Sequence, residues 1–282
     1  MSTQVRLGTQ FENRMKHACA LIAVLLLSLP GCSSSQTLRD LVVENHYSYM
    51  PSDQGRFPTL VAIPGCSGIS SGNPTAEESN PQLREDDLLF RRHYRHMAEK
   101  LKAEGFVVLL VDIHAAEGLL TACADPIDGE RIAEYINEAV AWARELPYVD
   151  TDKLHIIGWS MGGGGVLKWL DGPRSEASSV RSAIAIYPPC NRHENLSIYM
   201  PVLMLLGGSD DIADPNICEN LVHSAAIEQQ VTLANYPEAR HGFDAEGAPP
   251  VLDIGNDKTV GYQKEAADAS WAAILQFLAM SE

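Results

Sequence analysis

One serine, one histidine and a run of aspartates follow each other along the C-terminal half of this 282-residue chain in an order that could support nucleophilic chemistry. Ser160 lies in Gly158-Trp159-Ser160-Met161-Gly162, a G-x-S-x-G segment between an apolar run, KLHIIGWS (153–160), and a helical one. Glycines on both sides allow the tight strand-to-helix turn that pushes a serine hydroxyl into the open. The bare pattern is weak, and its alternative is a glycine-rich packing turn with an incidental serine; the strand before it and the helix after it give it weight. A serine hydroxyl attacks poorly until a base takes its proton, and that base needs a carboxylate to hold its tautomer. In enzymes built on this turn the chain order is Ser, acid, His. His241, in YPEARHGFD, follows the last predicted strand, whereas His193 and His223 fall on a loop and inside a helix. For the acid, GGSDDIADP offers Asp210, Asp211 and Asp214. Asp210, three residues past Gly207, is the choice, with Asp211 the alternative and the others expected to be solvated or to cap the next helix.

These residues need a scaffold, and the apolar pattern supplies one. Continuous Val/Ile/Leu runs are predicted strands at 59–65, 106–113, 153–160, 182–188, 201–207 and 231–237, with an edge strand expected at 41–49. Predicted helices fall between them at 86–104, 129–146, 161–170 and 215–229, and a last one covers 264–280. Unalternating apolar strands separated by helices mean a parallel sheet covered on both faces, with the site at the C-terminal ends of the strands. Residues 67–84 and 244–262 read as long loops bordering that site. The interval 189–200 is too short for a separate cap domain.

The segments GWSMGG, LLGGSDD, YPEARHGFD, VVLLVDIHAAEGLLTAC and the terminal YQKEAADASWAAILQFL together resemble the dienelactone hydrolase family of α/β-hydrolases, from about Pro58 to the C-terminus. The resemblance implies an α/β-hydrolase fold, with Ser160 as nucleophile, His241 as base and Asp210 as acid. The founding enzymes of that family carry cysteine as nucleophile, so a serine here resembles its serine-bearing branch. VAIPGCSG (61–68) is similar to the family's strand followed by H-G-C-x-G, with Pro64 in place of the histidine. By that resemblance the backbone N–H groups of Cys66 and Met161 form the oxyanion hole.

The residues P-G-C-S occur twice, at 30–33 and at 64–67. The first copy ends a basic start and a twelve-residue apolar run, Ala18–Leu29, too short to span a bilayer but suited to an export signal. Its ending resembles a lipoprotein signal, which makes Cys32 the expected lipidated residue; Met15 is an alternative start to Met1. The expected division is therefore signal and upstream extension at 1–31, lipidated N-terminus and linker at 32–38, and hydrolase domain at 39–282. The protein is expected to be exported, as an outer-membrane lipoprotein facing the periplasm, or as a soluble periplasmic protein if Cys32 stays unmodified. The remaining cysteines, Cys66, Cys123, Cys190 and Cys218, are even in number, which in an exported chain points to disulfides. Cys190 and Cys218 follow successive strands and are paired first; Cys66 and Cys123 follow two earlier neighbouring strands and form the second pair.

With 21 basic and 37 acidic residues the formal charge is −16, which argues against nucleic acid as a partner. The one basic cluster, RRHYRH (91–96), reads as a solvated helix face. No short paired Cys/His spacing suggests a metal, and nothing calls for an organic cofactor. The expected activity is a serine carboxylesterase acting on small esters, with membrane contact only through the N-terminal lipid and no oligomeric state defined. A peptidase or acyltransferase on the same residues, and a non-catalytic envelope binding protein on a hydrolase scaffold, are the other readings.

Overall fold

The computed structural model describes residues 36–281 except 73, 82, 84, 173–179, 194–195 and 225–229. The elements below lie within one compact unit, Thr37–Glu282. The expected export signal and Cys32 lie outside the described residues.

The strand-forming runs meet in one seven-stranded sheet of order β1-β3-β2-β4-β5-β6-β7. In chain order these are β1 (His46–Tyr49), β2 (Phe57–Ile63), β3 (Val107–Val111), β4 (Val149–Trp159), β5 (Ser182–Ile186), β6 (Val202–Gly207) and β7 (Val231–Tyr236). Every neighbouring pair is parallel except β1, which closes one edge antiparallel to β3. All five residues of β3 and all six of β6 are buried, as a strand covered on both faces requires. The sheet is thus the mostly parallel α/β arrangement expected.

Eight helices are described: α1 (Leu38–Glu44), α2 (Pro74–Glu78), α3 (Glu85–Ala103), α4 (Ile113–Ala116), α5 (Gly129–Ala143), α6 (Met161–Leu170), α7 (Pro215–Ser224) and α8 (Lys264–Met280). Helices α1, α5, α6 and α7 bury their apolar residues on one sheet face. The opposite face takes Tyr94, Met97 and Leu101 of α3 and Ile274, Phe277 and Leu278 of α8. Burial of this kind stabilises by roughly 25 cal/mol per Å² of apolar surface.

Several expected boundaries shift. The edge strand begins at His46, because Leu38–Glu44 is helical, started by a capping box in which Thr37 and Asp40 bond reciprocally. The 67–84 segment contains helix α2, and the 244–262 segment contains a hairpin of β8 (Leu252–Gly255) and β9 (Lys258–Val260). The cluster at 91–96 is not a solvated face. Arg91, His93 and Tyr94 are buried, and only part of the cluster meets water. Arg91 reaches Glu77 at 3.7 Å and His93 reaches Asp244 at 3.3 Å, so both side chains face carboxylates inside the fold. Among the described residues no helix is long and apolar enough to cross a membrane, and no group of three or more His, Cys, Asp or Glu could hold a metal ion.

Candidate active site

Strand β4 ends at Trp159, helix α6 begins at Met161, and Ser160 turns between them with φ 49° and ψ −118°. This is a backbone state that L-residues rarely occupy, held by the Ser160 N–H bond to the Ile186 carbonyl at 2.9 Å. The flanking glycines are required by contact. A Cβ at Gly158 would come within 2.5 Å of the Gly162 carbonyl oxygen, and one at Gly162 within 2.4 Å of that of Ile63. A side chain at either position would force α6 off the sheet.

His241 sits in the loop after β7, tied to β9 by a bond from Gly261 N–H to its carbonyl at 3.0 Å. Its Nε2 lies 2.8 Å from Ser160 Oγ and its Nδ1 lies 2.7 Å from Asp210 Oδ2. A carboxylate only accepts, so Nδ1 carries the proton and Nε2 accepts from the serine hydroxyl. Asp210 is buried, and its second oxygen accepts from Ile212 N–H and Ala213 N–H, both at 2.8 Å. The other two aspartates face elsewhere. Asp211 accepts from Thr259 Oγ1 at 2.8 Å and holds the hairpin, and Asp214 accepts from Asn216 N–H at 3.0 Å at the start of α7.

The loop after β2 lies against the serine: a Cβ at Gly65 would be 3.2 Å from Ser160 Cβ. Cys66, the next residue, is held from several directions. Its carbonyl accepts from Ala122 N–H at 2.8 Å, His114 Nε2 at 3.1 Å and Thr121 Oγ1 at 3.2 Å. Its sulfur is bonded to Cys123. Arg91 donates to the Ser67 carbonyl at 3.0 Å and to that of Leu120, closing the same two loops together. Burial lowers the His114 pKa to about 4, with the nearby Arg91 adding to the effect against the Cys66 bond, so the ring is a neutral donor. Met161 N–H belongs to the first turn of α6, where no intrahelical acceptor exists. The structure therefore brings Ser160, His241, Asp210, Cys66 and Met161 to one place. The other expected bridge, Cys190–Cys218, is also present, with both cysteines buried.

A buried polar cluster behind the histidine was not anticipated. Tyr187, with φ 38°, packs its ring 4.6 Å from that of His241. Its hydroxyl donates to Asp244 Oδ1 at 2.8 Å, while Trp159 Nε1 donates to Asp244 Oδ2 at 3.0 Å. Burial alone would raise the Asp244 pKa, but His93, Tyr187 and Trp159 outweigh it and hold the carboxylate below its usual range. Asp244 thus braces the residue before the serine and the ring beside the histidine. The only sequence signal was its position three residues after His241.

A parallel sheet with a serine on the turn from β4 to α6, joined to a histidine and an aspartate from the following loops, defines an α/β-hydrolase. The dienelactone hydrolase family profile matches residues 90–281, and the chain belongs to that family. It is accordingly a hydrolase. Solved structures with the same fold include a presumed dienelactone hydrolase from Klebsiella pneumoniae subsp. pneumoniae, 18% identical, TM-score 0.60, covering 83% of this chain and 92% of that one. A dienelactone hydrolase-like promiscuous phosphotriesterase from metagenomic libraries is 16% identical, with TM-score 0.60 and coverage of 83% and 91%. A thermophilic esterase from Thermogutta terrifontis, solved with butyrate bound, is 15% identical, with TM-score 0.52 and coverage of 82% and 88%. No curated protein matches the sequence. The two disulfides fit a chain that matures in an oxidising, exported environment.

Proposed function

We propose that this hydrolase is a serine carboxylesterase that cleaves small carboxylic esters through an acyl-enzyme. The observation that carries the reading is the continuous relay from Asp210 to His241 to Ser160, with links of 2.7 and 2.8 Å. Ser160 Oγ attacks the ester carbonyl as its proton passes to His241 Nε2. Asp210 keeps the proton on Nδ1 and stabilises the imidazolium that forms. The developing oxyanion takes hydrogen bonds from Cys66 N–H and Met161 N–H, each such donor lowering the barrier by about 3 kcal/mol. His241 then protonates the leaving alcohol, and a water activated by the same ring releases the acid. Each of these steps uses protein groups and water.

The catalytic domain on this reading is 39–282, following a signal removed before Cys32 and a short linker. A lipid on Cys32 would hold the domain at the outer membrane, facing the periplasm; without it the domain would be soluble there.

Hydrolysis of 4-nitrophenyl acetate and butyrate by wild type and Ser160→Ala tests the reading. The variant is expected to lose on the order of 10⁴–10⁶-fold in kcat, and wild type but not variant should carry a fluorophosphonate adduct by intact mass. Ester turnover that survives the substitution would reject Ser160 as the nucleophile.

A further inference from the structure

Two cavities of different character reach Ser160. One, of about 490 Å³, is walled by Phe90, Tyr94, Tyr187, Ile212, Ile254 and Val260, and His241 lines it. The other, of about 360 Å³, runs beside α6 from Met161 past Gly164 to Lys168 and Arg192. Its far end is polar: Lys168 pairs with Glu130 at 2.8 Å, and Asp128 and His193 lie beside them. Lys168 lies eight residue steps on from Ser160, so this arm is about 12 Å long. Ser160, Ile212, Cys66 and Cys123 line both cavities and form the waist between them. His241 lines only the apolar one.

That asymmetry assigns the two halves of a substrate. A general acid must lie within hydrogen-bond reach of the oxygen it protonates. When the bond from Ser160 Oγ to the carbonyl carbon forms and the bond to the alkoxy oxygen breaks, the proton on His241 Nε2 goes to that oxygen and leaves as the alcohol. The alcohol must therefore depart on the side His241 lines. Resting on the esterase reading above, the geometry points to a substrate class: esters of an apolar alcohol, seated among Phe90, Ile212, Ile254 and Val260, with an extended acid whose polar end reaches Lys168 and Arg192. The cavity beside α6 is the acyl arm.

The assignment is tested by separating acylation from deacylation in the full chain. Ethyl and hexyl butyrate share an acyl group and have alcohols of similar acidity, so their kcat/KM ratio reports the alcohol arm. Hexyl butyrate is expected to be better by about tenfold or more, given the gain per buried methylene. Ile254→Ala, on the exposed hairpin, should erase most of that preference. It should leave unchanged the deacylation rate of the butyryl-enzyme, measured by single-turnover intact mass, because the alcohol has gone by then. Phe90→Ala provides a second variant on a different element. For the other arm, hexyl 8-hydroxyoctanoate should exceed hexyl octanoate in kcat/KM, and Arg192→Ala, on the surface, should remove that advantage and alter deacylation of the hydroxyacyl-enzyme. Deacylation of a common acyl-enzyme that changes in Ile254→Ala and Phe90→Ala, or a hydroxyl preference that Arg192→Ala leaves intact, would overturn the assignment. If no acyl-enzyme forms on Ser160 at all, it is the esterase reading that fails, so the two failures are distinguishable.

Discussion

Asp210 and Asp211 are one position apart, and their carboxylates accept entirely different donors. Asp210 takes His241 Nδ1–H and two backbone amides, whereas Asp211 takes the backbone N–H and hydroxyl of Thr259. Asp210→Asn should therefore lower kcat by about 10⁴ with little effect on folding, because the amide disturbs the histidine tautomer without changing shape. Asp211→Asn should keep kcat within about an order of magnitude, because its carboxylate bonds Thr259 and not the relay. Parallel kinetics with thermal melts separates the two, and comparable losses in both variants would refute the division of roles. The sequence alone left this choice to chain order and loop position, since adjacent aspartates look alike until the backbone sets their directions. For the same reason Tyr187 and Asp244 were not anticipated: a φ of 38° at a tyrosine and a carboxylate shared by Trp159, Tyr187 and His93 arise only when three distant segments converge.

At the scale of elements, the strands and the turn at Ser160 were legible because buried parallel strands advertise themselves as continuous apolar runs, and because glycines flank Ser160 where α6 meets β4. Less legible were elements stabilised by contacts with other parts of the chain. Helix α1 depends on the reciprocal bonds of Thr37 and Asp40, and the hairpin of β8 and β9 is pinned by Asp211. The basic run in α3 misled because spacing cannot tell a solvated arginine from Arg91, whose donors close the loop of Cys66 onto the loop of Leu120. Those two loops carry the prediction that belongs at this scale. Cys123→Ser, or a dithiol acting on the partly exposed Cys66–Cys123 bridge, should lower kcat by about tenfold or more while KM changes less, since on the proposed reading one oxyanion donor loses its alignment. Cys190→Ser with Cys218→Ser should instead lower the melting temperature, because loss of a native bridge typically costs about 2–5 kcal/mol, and leave kcat within about twofold. Equal kcat losses in the two pairs would mean that the first bridge only holds the fold.

For the whole molecule, acid is the condition that tests how the buried charges were placed. His114 is neutral in the folded state, with its pKa lowered to about 4 by burial, while in the unfolded chain it titrates near 6.5. The unfolded state therefore takes up the proton first as pH falls. Stability from this group is complete above about pH 6.5 and declines toward pH 4, by about 3 kcal/mol in all. Asp244 acts in the next window: its carboxylate is held below the usual range, so its contribution persists above the unfolded value near 4 and is lost only below that. Urea melts at pH 7, 5 and 4 should show this progressive loss, and His114→Gln, which can still donate to the Cys66 carbonyl, should flatten the part between pH 7 and 5. An unchanged slope in that variant would assign the acid lability to other groups.

The bridge at the waist of the two cavities would, on the proposed reading, also fix when the molecule can work. On the proposed reading Cys66 presents an oxyanion donor, and the bond to Cys123 that secures its loop forms only under oxidising conditions. A chain freshly made among reducing thiols would have its serine relay but a slack oxyanion loop, and full activity would follow oxidation. On that reading the bond is a safety catch, holding back hydrolysis until the chain meets an oxidising compartment.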